Sequence, residues 1–190
     1  ISVILDRTQL LDDFSFTFSG CAGLTGNIPT GLFENNTQAT TFSRTFEFCS
    51  GLTGSIPTNI FTNNINVTEF FGVFSGCSGL TGNIPQGLFS TNTKADTLGK
   101  VFENCSSLTG NITTELFANN KEVTSFWKTF SGCSGLTGSI PTGFFDNNTL
   151  SQDFSFVFYN CSSLTGTIPS NLFTKNTESL SFGRSFEGCT

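Results

Sequence analysis

The stretch FSGCSGLTGNIPQGLF, residues 74–89, decides the fold, because the chain repeats it almost letter for letter. Close copies occupy residues 18–33 (FSGCAGLTGNIPTGLF) and 130–145 (FSGCSGLTGSIPTGFF). Each cysteine of the 190-residue chain stands 28 residues after the one before it: Cys21, Cys49, Cys77, Cys105, Cys133, Cys161 and Cys189. A period of about 20–50 residues that never slips is typical of a solenoid. The sequence therefore predicts one array, residues 1–190, of about seven 28-residue units, which we call coils.

Aligning the coils separates inward from outward positions. Large apolar residues recur at the same places in nearly every coil, and most of the 24 phenylalanines fall in three columns, those of Phe33, Phe42 and Phe46. Two aliphatic columns are Leu24, Leu52, Leu80, Leu108, Leu136, Leu164 and Ile28, Ile56, Ile84, Ile112, Ile140, Ile168. Stacked aromatic and aliphatic rows of this kind bury a large area. They predict a core, not a ligand pocket.

The segments of one coil differ in their periods. Apolar spacing i, i+3, i+4, i+7 over residues 42–49 predicts a short helix with one buried face. The alternation in LTGNIP, 24–29, predicts a strand ended by proline. Residues 29–36 predict a second helical turn, and residues 37–42 a second short strand. We expect a right-handed α/β solenoid rising about 4.8 Å per coil, in which residues 1–17 are a degenerate first coil.

The seven cysteines cannot all pair within one chain, because their number is odd. A column of buried thiols, one per coil, is the favoured interpretation, since free cysteine packs as a small apolar residue. Coils about 4.8 Å apart also lie within the Cα range of a disulfide, so vertical disulfides remain the alternative.

Composition argues against several function classes. The net charge of −6 is the wrong sign for a nucleic-acid partner, and no apolar run is long enough to span a membrane. The chain has no histidine and no nucleotide-binding or nucleophile motif, and its one adjacent carboxylate pair, Asp12–Asp13, is expected at a solvated edge. Acidic residues form no column that would suggest calcium. The sequence predicts a non-enzymatic protein without a cofactor or metal.

Small polar residues form two outward columns, which we call the Thr/Asn face. Its twelve members are Thr25, Asn27, Thr53, Ser55, Thr81, Asn83, Thr109, Asn111, Thr137, Ser139, Thr165 and Thr167. Three interpretations stay open: solvated tiling of a strand, a glycan-bearing or self-packing face, and a flat lattice that binds ice or glycans.

Sequons add candidate glycosylation sites in a secreted eukaryotic context. The candidates are Asn35, Asn66, Asn111 and Asn147. Two further sequons, at Asn104 and Asn160, directly precede cysteines that we expect to be buried, and they are the weaker candidates.

The phrases VTEFFGVFSGCSGL (67–80) and VTSFWKTFSGCSGL (123–136) resemble BspA-like leucine-rich repeats of bacterial and protist surface proteins. The phrase LTGxIP is similar to plant-type leucine-rich repeats. The resemblance covers the whole chain, although the 28-residue coil is longer than usual for the BspA-like family. It implies a leucine-rich-repeat solenoid, an extracellular or cell-surface location and structural or adhesive work, and it brings no catalytic residues.

The chain begins and ends in mid-repeat, and its C-terminal end at Cys189 and Thr190 carries no cap. We therefore expect a longer array or self-association by end-to-end stacking. The preferred function is a structural or adhesive module of a cell-surface protein or fibre, with glycans or a host or matrix protein as partners. The alternative is an ice- or glycan-binding solenoid that uses the Thr/Asn face. A protein-binding ectodomain ranks third, because outward aromatic residues such as Trp127 and Tyr159 are few.

Overall fold

The computed structural model describes residues 10–190, so most of the predicted first coil, residues 1–9, lies outside the described part. Regular elements within 10–190 are short. Strand β1 (Gly82–Asn83) pairs in parallel with β2 (Leu108–Thr109), and a 3-10 helix covers Thr114–Leu116. The rest of the described chain consists of turns and extended stretches joined by single bridges.

One line of parallel bridges connects successive coils. It joins residues 28 positions apart: Asp13–Thr41, Thr41–Glu69, Glu69–Thr97, Thr97–Ser125, Ser125–Asp153 and Asp153–Ser181. Backbone bonds one position earlier follow the same course, as from the amide of Thr68 to the carbonyl of Thr40 at 2.9 Å. Each coil is therefore hydrogen-bonded to its two neighbours over the described length.

The segment predicted as a short helix, 42–49, is a run of reverse turns, and the prediction of helical turns is wrong here. The amides of Phe42, Arg44, Phe46 and Phe48 donate to carbonyls of the following coil at 2.7–2.9 Å. The amides between them, of Thr45, Glu47 and Cys49, donate to the carbonyl three residues back at 3.0–3.2 Å. Arg44 and Phe48 have φ of +56° and +59°, which no right-handed helix permits. The inward face was nevertheless predicted correctly, because positions 42, 45, 46 and 49 are buried.

The second predicted helical turn, over 29–36, is also a set of turns. Within residues 10–190, 3-10 geometry occurs only in the equivalent stretch Thr114–Leu116. Proline initiates it: the carbonyl of Pro29 accepts from the amide of Leu32 at 3.3 Å. One i+3 bond closes a turn but does not propagate a helix.

The core consists of the predicted apolar columns. The ring of Phe74 stacks between Phe46, at 5.7 Å between centroids, and Phe102, at 6.1 Å, and all three are buried. The leucine and isoleucine columns are buried in the central coils, whereas Leu24 is half-buried and Ile168 is 53% exposed. Aromatic stacking thus runs along the solenoid axis as hydrogen bonding does.

Two polar columns complete the interior. The Asn92 Nδ2 donates to the carbonyls of Asn64 at 2.9 Å and Phe61 at 3.2 Å, and equivalent pairs of bonds hold Asn64, Asn120, Asn148 and Asn176. All seven cysteines are free thiols. From Cys49 to Cys189 each Sγ donates to a phenylalanine carbonyl 31 residues earlier at 2.9–3.1 Å.

Candidate functional site

The Thr/Asn face lies on the outside of the solenoid. All twelve of its threonine, asparagine and serine residues are exposed, whereas the leucine and isoleucine columns that flank them in sequence turn inward. Backbone bonds tie the face together: the amides of Thr53 and Thr81 donate to the carbonyls of Gly26 and Gly54 at 2.9 and 2.8 Å. The structure therefore brings the predicted residues together on one surface.

A left-handed glycine separates the two columns of the face. Its φ lies between +73° and +85° in Gly26, Gly54, Gly82, Gly110, Gly138 and Gly166. Such a residue cannot continue a regular strand, so the strand predicted for 24–29 and its equivalents is reduced to β1, β2 and isolated bridges.

The same glycines hold the asparagines of the face in place. A Cβ added to Gly138 would lie 2.9 Å from Cγ of Asn111, and one added to Gly110 would lie 2.6 Å from Cγ of Asn83. Each asparagine side chain thus leans over the glycine of the next coil. The amides are packed against backbone and are presented in a fixed orientation.

The candidate glycosylation sites differ in their surroundings. Asn35 and Asn147 are exposed next to the buried asparagine column. Asn66 is half-buried, and its Oδ1 accepts from Lys94 Nζ at 2.8 Å. Asn111 is exposed but leans on Gly138. Glycosylation at these four positions stays a prediction.

The two sequons ranked as weaker have exposed asparagines. Asn104 and Asn160 have φ of +59° and +56°, and both lie outside while the cysteine that follows each is buried. Their side chains cover Gly132 and Gly188 of the next coil.

A second outer surface was missed by sequence reasoning. We call it the aromatic–cation row, and its members are Phe16, Arg44, Phe71, Lys100, Trp127, Lys128, Phe156 and Arg184. Each cation lies over a ring: the Arg44 guanidinium is 5.4 Å from the centre of Phe16 and 5.2 Å from that of Phe71. The signal was present, because positions 16, 44, 72, 100, 128, 156 and 184 hold only phenylalanine, arginine, lysine or glycine. All seven have positive φ.

Glycine creates the centre of this row. Phe71 and Trp127 belong to coils two apart, yet their ring centroids are 6.3 Å apart at an interplanar angle of 18°. Gly99 of the intervening coil is buried beneath them, and a Cβ there would lie 3.2 Å from the Phe71 ring. The missing side chain lets the two rings meet.

Carboxylates lie beneath the cations of the row. Glu103 accepts from Lys100 at 3.1 Å, from Lys128 at 3.3 Å and from Ser75 Oγ at 3.2 Å, and it is 8% exposed. Arg44 pairs with the buried Glu47 at 3.8 Å. The i, i+3 spacing of the Arg44–Glu47 and Lys100–Glu103 pairs is visible in the sequence, whereas the bridge from Lys128 is not.

The carboxylate pair Asp12–Asp13 does not form an acid–base pocket. Asp13 Oδ1 accepts from the amide of Ser15 at 2.7 Å, and this backbone bond lowers the pKa of the Asp13 carboxyl. Asp153 caps Ser155 in the same way at 2.8 Å, so position 13 has a local structural role. Within residues 10–190 no three histidine, cysteine, aspartate or glutamate residues cluster as metal ligands, and no helix there could cross a membrane.

Comparison with known proteins places the fold. No family model and no curated protein sequence matches the chain. The ectodomain of BIR2 from Arabidopsis thaliana superposes with a TM-score of 0.51 at 22% identity, over 79% of this chain and 67% of that one. The chain is a leucine-rich-repeat type of solenoid.

Two further solved structures superpose with lower TM-scores. The plant peptide hormone receptor RGFR1, in complex with RGF2, gives a TM-score of 0.39 at 19% identity, over 84% of this solenoid and 31% of the receptor chain. A plant ice-binding protein gives 0.45 at 21% identity, over 68% of this solenoid and 39% of that chain. This solenoid therefore spans less than half of either of these two chains.

Proposed function

We propose that the solenoid is a non-enzymatic structural or adhesive module of an extracellular cell-surface protein or fibre. It would wind as a right-handed coil of 28 residues, after the BspA-like pattern. Self-association, and glycans or a host or matrix protein as partners, belong to the same proposal. The observation that carries it is the unbroken coil-to-coil bonding beneath rows of outward side chains.

The proposed function depends on the rigidity of the solenoid. Bridges, asparagine amides, thiols and phenylalanine rings all join one coil to the next along the described chain. Each coil contacts its neighbours, so an opening at one position must break several such contacts together. A stiff rod suits the display of a repeated surface.

Adhesion of the whole chain tests this proposal. Beads coated with the folded chain are passed over surfaces of extracellular matrix proteins or immobilised glycans, and detachment force is measured. We expect retention above that of beads coated with chemically unfolded chain. Equal detachment forces for the folded and unfolded coatings on every surface would contradict an adhesive role.

The Thr/Asn face supports a second candidate function, binding of an ordered lattice such as ice or a regular glycan. Its twelve exposed hydroxyl and amide side chains form two columns that repeat once per coil, and parallel-bridged coils lie about 4.8 Å apart. The glycine contacts of Asn83 and Asn111 keep them pre-organised, which lowers the ordering cost of binding.

A bulky substitution on the face separates the two candidates. Thr81→Tyr with Thr109→Tyr interrupts the lattice at two exposed sites, and the matched control is Thr93→Tyr with Thr177→Tyr, also exposed but outside the face. Loss of ice-recrystallisation inhibition or of glycan-array binding in the first pair alone would support lattice binding. An equal effect of the two pairs of substitutions on ice-recrystallisation inhibition and on glycan-array binding would refute lattice binding by the Thr/Asn face.

A further inference from the structure

The aromatic–cation row concentrates exposed aromatic side chains in a protein that buries most of its phenylalanines. Phe16 is 55% exposed, and Phe71, Trp127 and Phe156 are half-buried. The row contains the single tryptophan of the chain. The single tyrosine, Tyr159, packs edge-on against Phe156 at 5.4 Å between centroids.

Basic residues are gathered there as well. Of the seven lysine and arginine residues in 10–190, four belong to the row: Arg44, Lys100, Lys128 and Arg184. Lys100 and Lys128 both lie over Trp127, at 4.9 and 5.0 Å from the ring. The rings hold the ammonium groups in fixed places at the surface.

The acidic partners of Arg44, Lys100 and Lys128 are less exposed than the cations, whereas Glu187, which pairs with Arg184 at 3.5 Å, is 51% exposed. The side chain of Glu103 is 10% exposed, against 21% for Lys100 and 27% for Lys128. That of Glu47 is 9% exposed, against 39% for Arg44. A molecule approaching the row between Arg44 and Lys128 thus meets cations and aromatic edges, although the chain as a whole carries a net charge of −6.

This composition matches a protein-binding surface. Tryptophan, tyrosine, phenylalanine and arginine are the residues enriched in protein interfaces and in their energetic centres. The cationic outer edge complements acidic side chains, and complementary charge sets specificity and association rate. From Arg44 to Phe156 the row spans four coil steps, about 19 Å, which is the length of about six extended residues.

We propose that the aromatic–cation row binds an extended acidic segment, containing aromatic residues, of a partner protein. Carboxylates of the segment pair with Arg44, Lys100 and Lys128, and its aromatic side chains pack on the Phe71–Trp127 rings. The proposal goes beyond the structural and adhesive role, because it assigns a partner segment to a particular surface. That surface shares no residue with the Thr/Asn face.

The test measures binding of a fluorescent glutamate–tyrosine copolymer to the whole chain. Lys100→Gln with Lys128→Gln removes two charges from the row, and Lys94→Gln with Lys121→Gln removes two charges elsewhere. We expect the row pair to weaken binding about tenfold and the control pair less than about twofold, with binding that falls as salt rises. Equal weakening by the two pairs would show unspecific charge attraction and overturn the proposal.

A second variant distinguishes a loss of binding from a loss of folding. Trp127→Ala keeps all charges and the Glu103 ion pairs, and circular dichroism and thermal melting establish that each variant is folded. We expect Trp127→Ala to weaken copolymer binding while leaving lattice or glycan binding by the Thr/Asn face unchanged. No binding by the wild-type chain, or tighter binding of chondroitin sulfate that depends on the same lysines, would overturn the proposal and, in the latter case, indicate an acidic glycan.

Discussion

The side-chain amide of Asn92 donates to the main-chain carbonyl of Asn64, its counterpart 28 residues earlier, at 2.9 Å. The same Nδ2 also bonds the carbonyl of Phe61, and both asparagines are fully buried. One side chain thus donates hydrogen bonds to two carbonyls of the preceding coil. Its own Oδ1 accepts no hydrogen bond, so the donor atom carries the stabilising contacts of this residue.

We expect Asn92→Ala to lower the free energy of unfolding by about 1–3 kcal/mol, because two buried hydrogen bonds are lost and the carbonyls of Phe61 and Asn64 keep only their bonds from backbone amides. Chemical denaturation of the whole chain measures it. The matched control is Asn119→Ala, which removes a bond of the same 2.9 Å length to the Ser90 carbonyl at an exposed site. A loss for Asn119→Ala as large as that for Asn92→Ala would contradict the role assigned to burial.

Phe74→Ala should cost about 3–5 kcal/mol, since it removes a fully buried ring and leaves a cavity. The ring contacts Phe46, Phe61 and Phe102. Phe16→Ala serves as control, because Phe16 is 55% exposed and its ring contacts the Arg44 guanidinium at 5.4 Å instead of packing in the core. A similar loss for the two variants, measured by denaturant unfolding, would mean that the phenylalanine columns are not the core.

The glycines between the two columns of the Thr/Asn face allow a matched comparison. Gly82 and Gly110 have φ of +75° and +77°, but a Cβ at Gly82 would meet nothing nearer than Ser55 at 3.6 Å, whereas one at Gly110 would meet Asn83. Gly82→Ala should cost about 1–2 kcal/mol from backbone strain. Gly110→Ala should cost more and shift the NMR signals of the Asn83 side-chain amide. Equal costs with an unmoved Asn83 would contradict the contact.

The buried thiols make stability depend on pH. Burial raises the pKa of Cys49 to about 11 and that of Cys105 to about 12, and it raises the pKa of Cys77, Cys133 and Cys161 as well. An unfolded thiol ionises near pH 8.5, so above that pH the unfolded state loses protons that the folded state keeps. Each such thiol should lower the free energy of unfolding by about 1.4 kcal/mol per pH unit until its folded pKa is reached.

Denaturant unfolding at pH 8 to 11 measures this slope, with Cys105→Ala as the comparison. The free energy of unfolding of Cys105→Ala should fall less steeply with pH, because the contribution of one thiol is missing. A wild-type slope no steeper than that of Cys105→Ala would show that Cys105 ionises as readily in the folded state as in the unfolded one.

The sequence predicted the inside of this solenoid well, because identical residues stacked at one interval must share an environment. The columns of Phe46, Leu52 and Cys49 are buried in the central coils as expected, whereas at the ends Cys21 is exposed and Cys189 is half-buried. Periodicity alone failed for residues 42–49, since a helix and a run of turns with left-handed residues can bury the same i, i+3, i+4 positions. The positive φ of Arg44 and Phe48 could not be predicted from the sequence, because glycine is the residue type that adopts this conformation readily.

The outer surfaces were predictable to different degrees. The Thr/Asn face repeats in every coil, so alignment found it. The aromatic–cation row varies from coil to coil, and its pairing of Phe71 with Trp127 depends on the absent side chain of Gly99. A contact between residues two coils apart cannot be predicted by aligning the residues at one position of the repeat.

A 56-residue period is superimposed on the 28-residue one, because one position alternates between glycine and a larger residue in successive coils. Positions 20, 48, 76, 104, 132, 160 and 188 hold glycine or a larger residue in turn, all at positive φ. The larger side chains, of Phe48, Asn104 and Asn160, each cover the glycine of the next coil. A 56-residue period follows, because two large side chains in succession would collide there.

We expect the Thr/Asn face to be an in-register lattice on a rigid stack of coils. Spin labels at Thr25→Cys and Thr165→Cys measure it by double electron–electron resonance. The background is Cys21→Ala with Cys189→Ala, so that neither the exposed nor the half-buried native thiol takes up label. Five coil steps predict one narrow distance distribution centred at about 24 Å between backbone positions. A broad distribution, or a centre that does not move by about 4.8 Å when the second label is placed at Thr137→Cys instead, would contradict the account.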